Sequence, residues 1–426
     1  MKAQNAVRDF NVSLRECANF AKKGITHICK NIGDGSVFGG RGCGTPEERK
    51  AQEYMADQMR KYADEVKIED FKVAPWAFMG WVLVDVILAL CGTLIYWLPQ
   101  IPYNKFIAFG LFCLALLFAI MEFLFYKQFL DVFCPKKTSC NAVGIYKPEG
   151  EVKQRIIFSG HADSSQEWRF SHWGGPPALL GGIIGAFSGF VVNLVAGILF
   201  IANHFAGEPF LSDDVQKYMV WGLTAWVPLY CVCFFFCTWG KYVQGANDNL
   251  TGCYGAICVL KFLKDNDIRF KHTEVVALTT GGEECGLRGA KAYSKAHNKE
   301  CKEIDTVFVG LETFRDYDHF AIYKRDMTNT TANSPIACAI LKEGAKRAGR
   351  DLPYENVFFG SSDAAAVSQA GIHATCLAGM DPAPPRYYHT RGDTYKNLCF
   401  NSLENGIEIA IQTAFVFDEV GLKEPQ

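Results

Sequence analysis

His161, Asp163, Asp248, Glu283, Glu284, Glu312 and His389 are the side chains of this 426-residue chain whose types and order could carry metal chemistry. Asp248 lies in Gly245-Ala246-Asn247-Asp248-Asn249-Leu250-Thr251-Gly252, a glycine-rich turn that sets one carboxylate ahead of an apolar helix. His161-Ala162-Asp163 stands upstream, and Glu283-Glu284, Glu312 and His389 follow downstream. One imidazole, a central carboxylate, two further carboxylates and a second imidazole can hold two zinc ions side by side. Paired metals of this kind clamp a polarised carbonyl and lower the pKa of a shared water to about 7. In the Glu-Glu pair, one carboxylate can bind metal while its neighbour takes the proton from that water. In His-x-Asp, Asp163 is placed to support or orient the imidazole. Taken singly each motif is commonplace, and Asp248 alone reads as the N-cap of a helix beginning near Leu250. Their order and their positions after apolar runs point to one convergent site.

The elements that position these residues follow from periodicity. Residues 46–63 read as an amphipathic helix, with Ala51, Tyr54, Met55, Met59 and Tyr62 on one face. Strands are expected at 66–73, 140–146, 155–160, 273–280, 305–311 and 373–378. Helices are expected at 251–263, 289–297, 335–348 and 403–420. Such alternation predicts an α/β fold with a mixed, mostly parallel sheet flanked by helices. In sheets of that kind the site lies beyond the carboxyl ends of the strands. His161, the Glu283-Glu284 pair and Glu312 each follow an apolar run, as that rule requires.

Four apolar windows interrupt the alternation, at 76–98, 106–126, 178–205 and 218–239. Each approaches the ~20 residues needed to cross a bilayer. They form two transmembrane hairpins, the first turning at Pro99-Gln100-Ile101-Pro102, where prolines stop the helix. Gly181, Gly182, Gly185 and Gly189 supply small-residue spacings suited to close helix contact. Lys and Arg flank the hairpins (Arg49, Lys50, Lys67, Lys72, Lys127, Lys136, Lys137), whereas the tips are neutral or acidic. The positive-inside rule then predicts an integral, multi-pass protein with its catalytic domain on the cytoplasmic side. The expected organisation is a catalytic domain built from 1–75, 128–177 and 241–426, with hairpins at 76–127 and 178–240. Asp248 is thus placed at the exit of the second hairpin and His161 before its entrance, which puts the metals near the membrane surface.

Composition removes other classes. A net charge of -2 and the lack of a basic stripe argue against nucleic acid as partner. The 17 cysteines are scattered, several of them in the apolar windows, as expected of reduced thiols. Residues 1–15 have neither an apolar run nor a small-residue cleavage site, so no cleaved secretion signal is expected.

The chain resembles the M28 family of co-catalytic zinc peptidases, which includes bacterial leucyl-type aminopeptidases. The likeness runs from Gly40-Arg41-Gly42-Cys43-Gly44-Thr45 to His389-Thr390-Arg391-Gly392-Asp393-Thr394, covering most of the non-membrane chain. It implies that His161 and Glu312 ligate one zinc, Glu284 and His389 the other, and that Asp248 bridges the two. It also makes Glu283 the general acid/base and Asp163 the supporting carboxylate. Two positions depart from the family pattern. Glu312 stands where an Asp is usual, and Ala364 replaces the histidine of a Ser-Asp-His segment, leaving Ser362-Asp363. The resemblance implies a zinc peptidase, most simply an aminopeptidase, and the placement of the second hairpin between His161 and Asp248 adds the expectation of apolar peptide substrates close to the bilayer. A single-zinc glutaminyl cyclase and a non-catalytic membrane scaffold are the rival readings.

Overall fold

A computed structural model describes residues 2–383 and 385–425. The chain divides into two compact units. The first comprises the chain up to Pro75, Pro135–Glu167 and the chain from Gly240 onward; the second comprises Trp76–Cys134 and Trp168–Trp239.

The first unit is built on a mixed sheet. Its strands are β1 (Glu65–Val73), β2 (Lys137–Tyr146), β3 (Gln154–His161), β6 (Thr273–Thr280), β7 (Asp305–Glu312), β8 (Phe320–Asp326), β10 (Tyr354–Asn356) and β11 (His373–Gly379). They lie in the order β1-β2-β6-β3-β7-β11-β8-β10, with the short β9 (Thr331–Ala332) on β8. β6, β3, β7 and β11 run parallel at the centre, while β2 and β8 join them antiparallel on either side. A separate ribbon pairs β4 (Gln166–Trp168) with β5 (Cys237–Tyr242). The expected α/β sheet with a parallel centre is therefore present. Its helices are α1 (Phe10–His27), α2 (Pro46–Met59), α8 (Leu250–Asp265), α9 (Arg288–Glu303), α10 (Pro335–Arg347), α11 (Asp363–Gln369) and α12 (Phe400–Val420).

Parallel strands bring their carboxyl ends to one edge, and that edge receives His161 from β3, Glu283-Glu284 after β6 and Glu312 from β7. α8 is the central helix. It packs on β3, β6 and β7, and most of its residues are buried in the main core. Two glycines permit this contact. A Cβ at Gly160 would stand 2.3 Å from the Cys253 amide nitrogen, and one at Gly252 would stand 2.1 Å from the Leu311 carbonyl oxygen. α1 covers α8 with Phe10, Leu14, Cys17, Ala21 and Ile25, all buried.

The second unit is helical: α3 (Ala77–Tyr96), α4 (Asn104–Phe118) with a π-helical turn to Leu124, α5 (Arg169–Phe205), α6 (Asp213–Leu223) and α7 (Val227–Cys233). Among the described residues three helices are long and apolar enough to cross a membrane: Ala77–Tyr96, Asn104–Leu124 and Arg169–Phe205. The fourth expected span, at 218–239, is not a continuous helix. α6 stops at Leu223, a 3₁₀ turn follows over Thr224–Trp226, α7 is short, and the chain is extended from Cys237. Pro228 accounts for the break, since it has no N–H to give to the preceding turn and its ring crowds that turn's carbonyl. Of the small residues on α5, Gly185 meets Leu229 and Gly189 meets Trp226 and Tyr230, whereas Gly182 faces Phe170 and Gly181 faces open space.

Gly160→Ala is expected to destabilise the first unit by about 1–3 kcal/mol, because the added methyl has no room beside α8. Thermal unfolding would detect this, and an unchanged midpoint would mean that α8 can move away without cost.

Candidate active site

Asp248 lies at the centre of the cluster. Its Oδ1 is 3.1 Å from His161 Nε2 and its Oδ2 is 3.0 Å from His389 Nε2. Glu312 Oε1 lies 3.5 Å from the same His161 nitrogen, and Glu284 Oε1 lies 3.1 Å from the same His389 nitrogen. Two sets of donors therefore share Asp248: His161 with Glu312, and His389 with Glu284. Glu283 stands beside them, its Oε2 3.8 Å from His161 Nε2. All seven residues singled out from the sequence converge at this one edge of the sheet.

Several of them are held in place by defined contacts. The His161 ring has its Nδ1 3.2 Å from the main-chain oxygen of Asp163 and 3.6 Å from that residue's Oδ1. The Asp163 carboxylate also accepts the amides of Glu283, at 3.0 Å, and Glu284, at 3.1 Å. One buried residue thus holds the imidazole through its main-chain oxygen and the Glu-Glu turn through its carboxylate. Asp248 does not cap α8. Asn249 does, accepting the Gly252 amide at 3.0 Å, while its Nδ2 donates to the Leu311 carbonyl at 2.8 Å and ties α8 to the end of β7. His389 sits in the left-handed backbone region, φ 52°, with the Tyr388 ring stacked on it at 3.8 Å.

Three residues outside the sequence-derived set complete the frame. Asp393 accepts the Asn247 amide at 2.8 Å, the Asn247 side chain at 2.7 Å and the Asp248 amide at 3.1 Å. Arg41 is fully buried and donates to the carbonyls of Ala162, Gln244 and Gly245, so one guanidinium joins the His161 loop to the Asp248 loop. Glu48 accepts from Gly44, Ser139 and Gly282, fixing the turn that leads to Glu283. Each is an ionisable residue within, or three residues beyond, a glycine-containing stretch, a signal that periodicity does not weigh. Asp363 is buried close by and takes the Thr280 hydroxyl on one oxygen.

Five carboxylates and two imidazoles share this buried space, and the proton affinities of several are far from ordinary. Burial opposes a charge on His389, yet Glu284 and Asp248 outweigh it and hold the ring up at about 10. His161 is raised in the same way, burial being overcome by Glu283, Glu312, Asp163 and Asp248. Burial works to raise Asp248, but both imidazoles hold it well below the usual carboxylate range. Burial pushes Glu312 up to about 7 against the pull of His161, and it carries Glu283 well above the ordinary range, helped by Asp363, Glu284 and Glu312. An excess of buried negative charge is what divalent cations neutralise. The donor set fits them: Asp248 Oδ2 and Glu284 Oε1 are buried and accept no well-formed hydrogen bond, and donor atoms of Asp248, Glu284 and His389 lie within 4.8 Å of one another. Carboxylate and imidazole donors in groups of three suit zinc with one position left open.

Residues 233–414 match the family model of peptidase family M28. The matched span includes Asp248, Glu283, Glu284, Glu312 and His389, while His161 and Asp163 precede it and reach the site on β3. Among solved structures the chain is similar to BSAP, a zinc aminopeptidase from Bacillus subtilis, at 15% identity and a TM-score of 0.54, covering 94% of this chain and 95% of that one. It is also similar to the aminopeptidase of Aneurinibacillus sp. strain AM-1, at 14% identity and a TM-score of 0.52, covering 92% and 93%. A glutaminyl cyclase from an Acidobacteriales bacterium is comparably similar, at 13% identity and a TM-score of 0.52, covering 94% and 95%. At these identities the likeness establishes the fold. No curated protein matches the sequence.

Asp393→Asn replaces one carboxylate oxygen with an amide that cannot accept the same N–H groups. It is expected to weaken zinc binding by about 10–100-fold, the usual cost of losing an outer partner of a ligand. Competition titration with a chelating indicator would measure this, and wild-type affinity in a folded Asp393→Asn protein would remove Asp393 from the supporting frame.

Proposed function

We propose that this chain is a di-zinc peptidase of the M28 type that hydrolyses peptide bonds and removes residues from peptide N-termini. The observation that carries the reading is the division of the two Asp248 oxygens between His161 and His389, each imidazole with a second carboxylate at hand. In this reading His161 and Glu312 hold one zinc ion, His389 and Glu284 hold the other, and Asp248 serves both. When bound, zinc supplies Lewis acidity toward the scissile carbonyl and toward the attacking water.

The chain's own residues do the rest. Glu283 takes a proton from the attacking water onto its carboxylate and returns it to the departing amine, a role suited to a buried acid of raised proton affinity. Asp163 holds the Glu283 amide, and Glu48 holds the turn before it, so the carboxylate has little freedom to swing away. Arg41 and Asp393 keep the His161 and Asp248 loops in register. The aminopeptidases among the similar structures support N-terminal trimming over internal cleavage. The glutaminyl cyclases among them support a second reading, single-zinc cyclisation of N-terminal glutamine. The presence of His161, Asp248 and Glu312 together favours two metals over one.

We further propose that the protein works as a multi-pass membrane protein with its catalytic unit on the cytoplasmic side. Three long apolar helices and the Lys- and Arg-rich flanks support this. Apolar, membrane-proximal peptides are the substrate class that suits such a setting.

Glu283→Gln is expected to lower turnover by at least about 10²-fold while the zinc content stays at the wild-type level. Near-wild-type hydrolysis by that variant would end the assignment of Glu283. Digestion of a peptide library by the full-length protein, with and without chelator and read by mass spectrometry, tests the activity itself. Loss of single N-terminal residues that stops on chelation is the expected result. Pyroglutamate formation with one zinc per chain would establish the cyclase instead, and a zinc-free, inert protein would establish the scaffold.

A further inference from the structure

The short segment after α4 has a surface that water does not suit. Phe125, Phe129, Val132 and Phe133 lie within nine residues of chain and are 40%, 37%, 75% and 78% exposed. The segment is nevertheless well fixed. The Lys127 amide donates to the Met121 carbonyl at 2.7 Å, the Phe129 ring packs on Phe118 at 5.5 Å, and Leu130 is buried at the start of a 3₁₀ turn. Glu122, buried in the π-helical turn, accepts the Leu130 amide at 2.6 Å. A carboxylate is costly inside a membrane span unless it has such work. Here it bridges the last turn of the span and the exposed segment.

Covalent geometry says where that segment must be. The helix Asn104–Leu124 has 21 residues. At ~1.5 Å per residue it is about 30 Å long, the thickness of the hydrocarbon layer. Phe125 is the next residue, so the segment emerges at headgroup depth. Lys127 is exposed there, and Lys136 and Lys137 follow shortly in sequence, against the single acid Asp131. Aromatic rings combined with lysines are the composition that seats in an interface bearing negative charge.

We propose that residues 125–133 form an interfacial anchor that inserts Phe129, Val132 and Phe133 among the headgroups of an anionic leaflet, with Glu122 as the residue that positions it. This rests on the membrane reading given above. The test uses the full-length protein in lipid nanodiscs, with an environment-sensitive fluorescent amino acid placed at position 133 or, as a reference, at the exposed α5 position 184. Quenchers carried on the lipid headgroup or deep on the acyl chain report depth. Position 133 is expected to emit to the blue and to be quenched best from the headgroup, more strongly when phosphatidylserine is added to phosphatidylcholine. Lys127→Glu should remove part of that phosphatidylserine effect. Glu122→Ala should shift the emission to the red, and Glu122→Gln, which can still accept the Leu130 amide, should restore it. If position 184 is quenched from the acyl chain and position 133 by neither lipid, the anchor is wrong and the membrane reading stands. If neither position responds, both fall. Shielding of position 133 from aqueous iodide without lipid quenching would mean that a protein surface, such as a second copy, covers it, and would also overturn the anchor.

Discussion

One carboxylate shared between two imidazoles is the interaction on which the rest of the catalytic unit depends. Asp248 can face His161 and His389 at once only if three loops, remote in sequence, hold their positions to within a fraction of an ångström. The cluster resists that arrangement, because like charges gathered in a buried space repel strongly. The surrounding polar residues therefore act as clamps. Asp163 fixes the Glu283-Glu284 turn, Asp393 fixes the Asn247-Asp248 backbone, and Arg41 ties that loop to the one bearing His161. None of the three clamps needs to touch a substrate to matter.

The sheet turns these local clamps into a site. Four parallel strands at its centre end along one edge, so residues 161, 283, 284 and 312 are brought together by strand direction alone. α8 then brings Asp248 to the same edge, and it can do so because Gly160 and Gly252 let backbone meet backbone. The second unit follows a different logic. Its helices are apolar along much of their surface, and among its buried polar groups Asn193 donates to the Gly189 carbonyl and Glu122 accepts the Leu130 amide.

Much of this could be read from residue order. The apolar strands, the helix after the Asp248 turn and the metal-type residues all follow patterns with a short period, and short periods survive in a single sequence. What escaped the reading had weaker local signals. The helix Phe10–His27 repeats its buried positions regularly but is broken by polar residues, and β8, with lysine and arginine near its end, does not read as a buried strand. The fourth apolar window has the right length and composition for a span, yet Pro228 divides it. Hydropathy counts residues and does not register one missing amide.

By itself the sequence determined the residue types at the site, their order, the strand and helix periods and the apolar windows, because these depend on neighbours along the chain. Only the tertiary structure decided which oxygen of Asp248 faces which imidazole, that Asn249 rather than Asp248 caps α8, and that Arg41, Glu48 and Asp393 hold the site. Those choices are made between groups more than a hundred residues apart in several cases, as with Asp393 and Asp248. They depend on burial, which makes an unpaired charge or amide too costly to leave, and burial exists only once the chain has closed on itself.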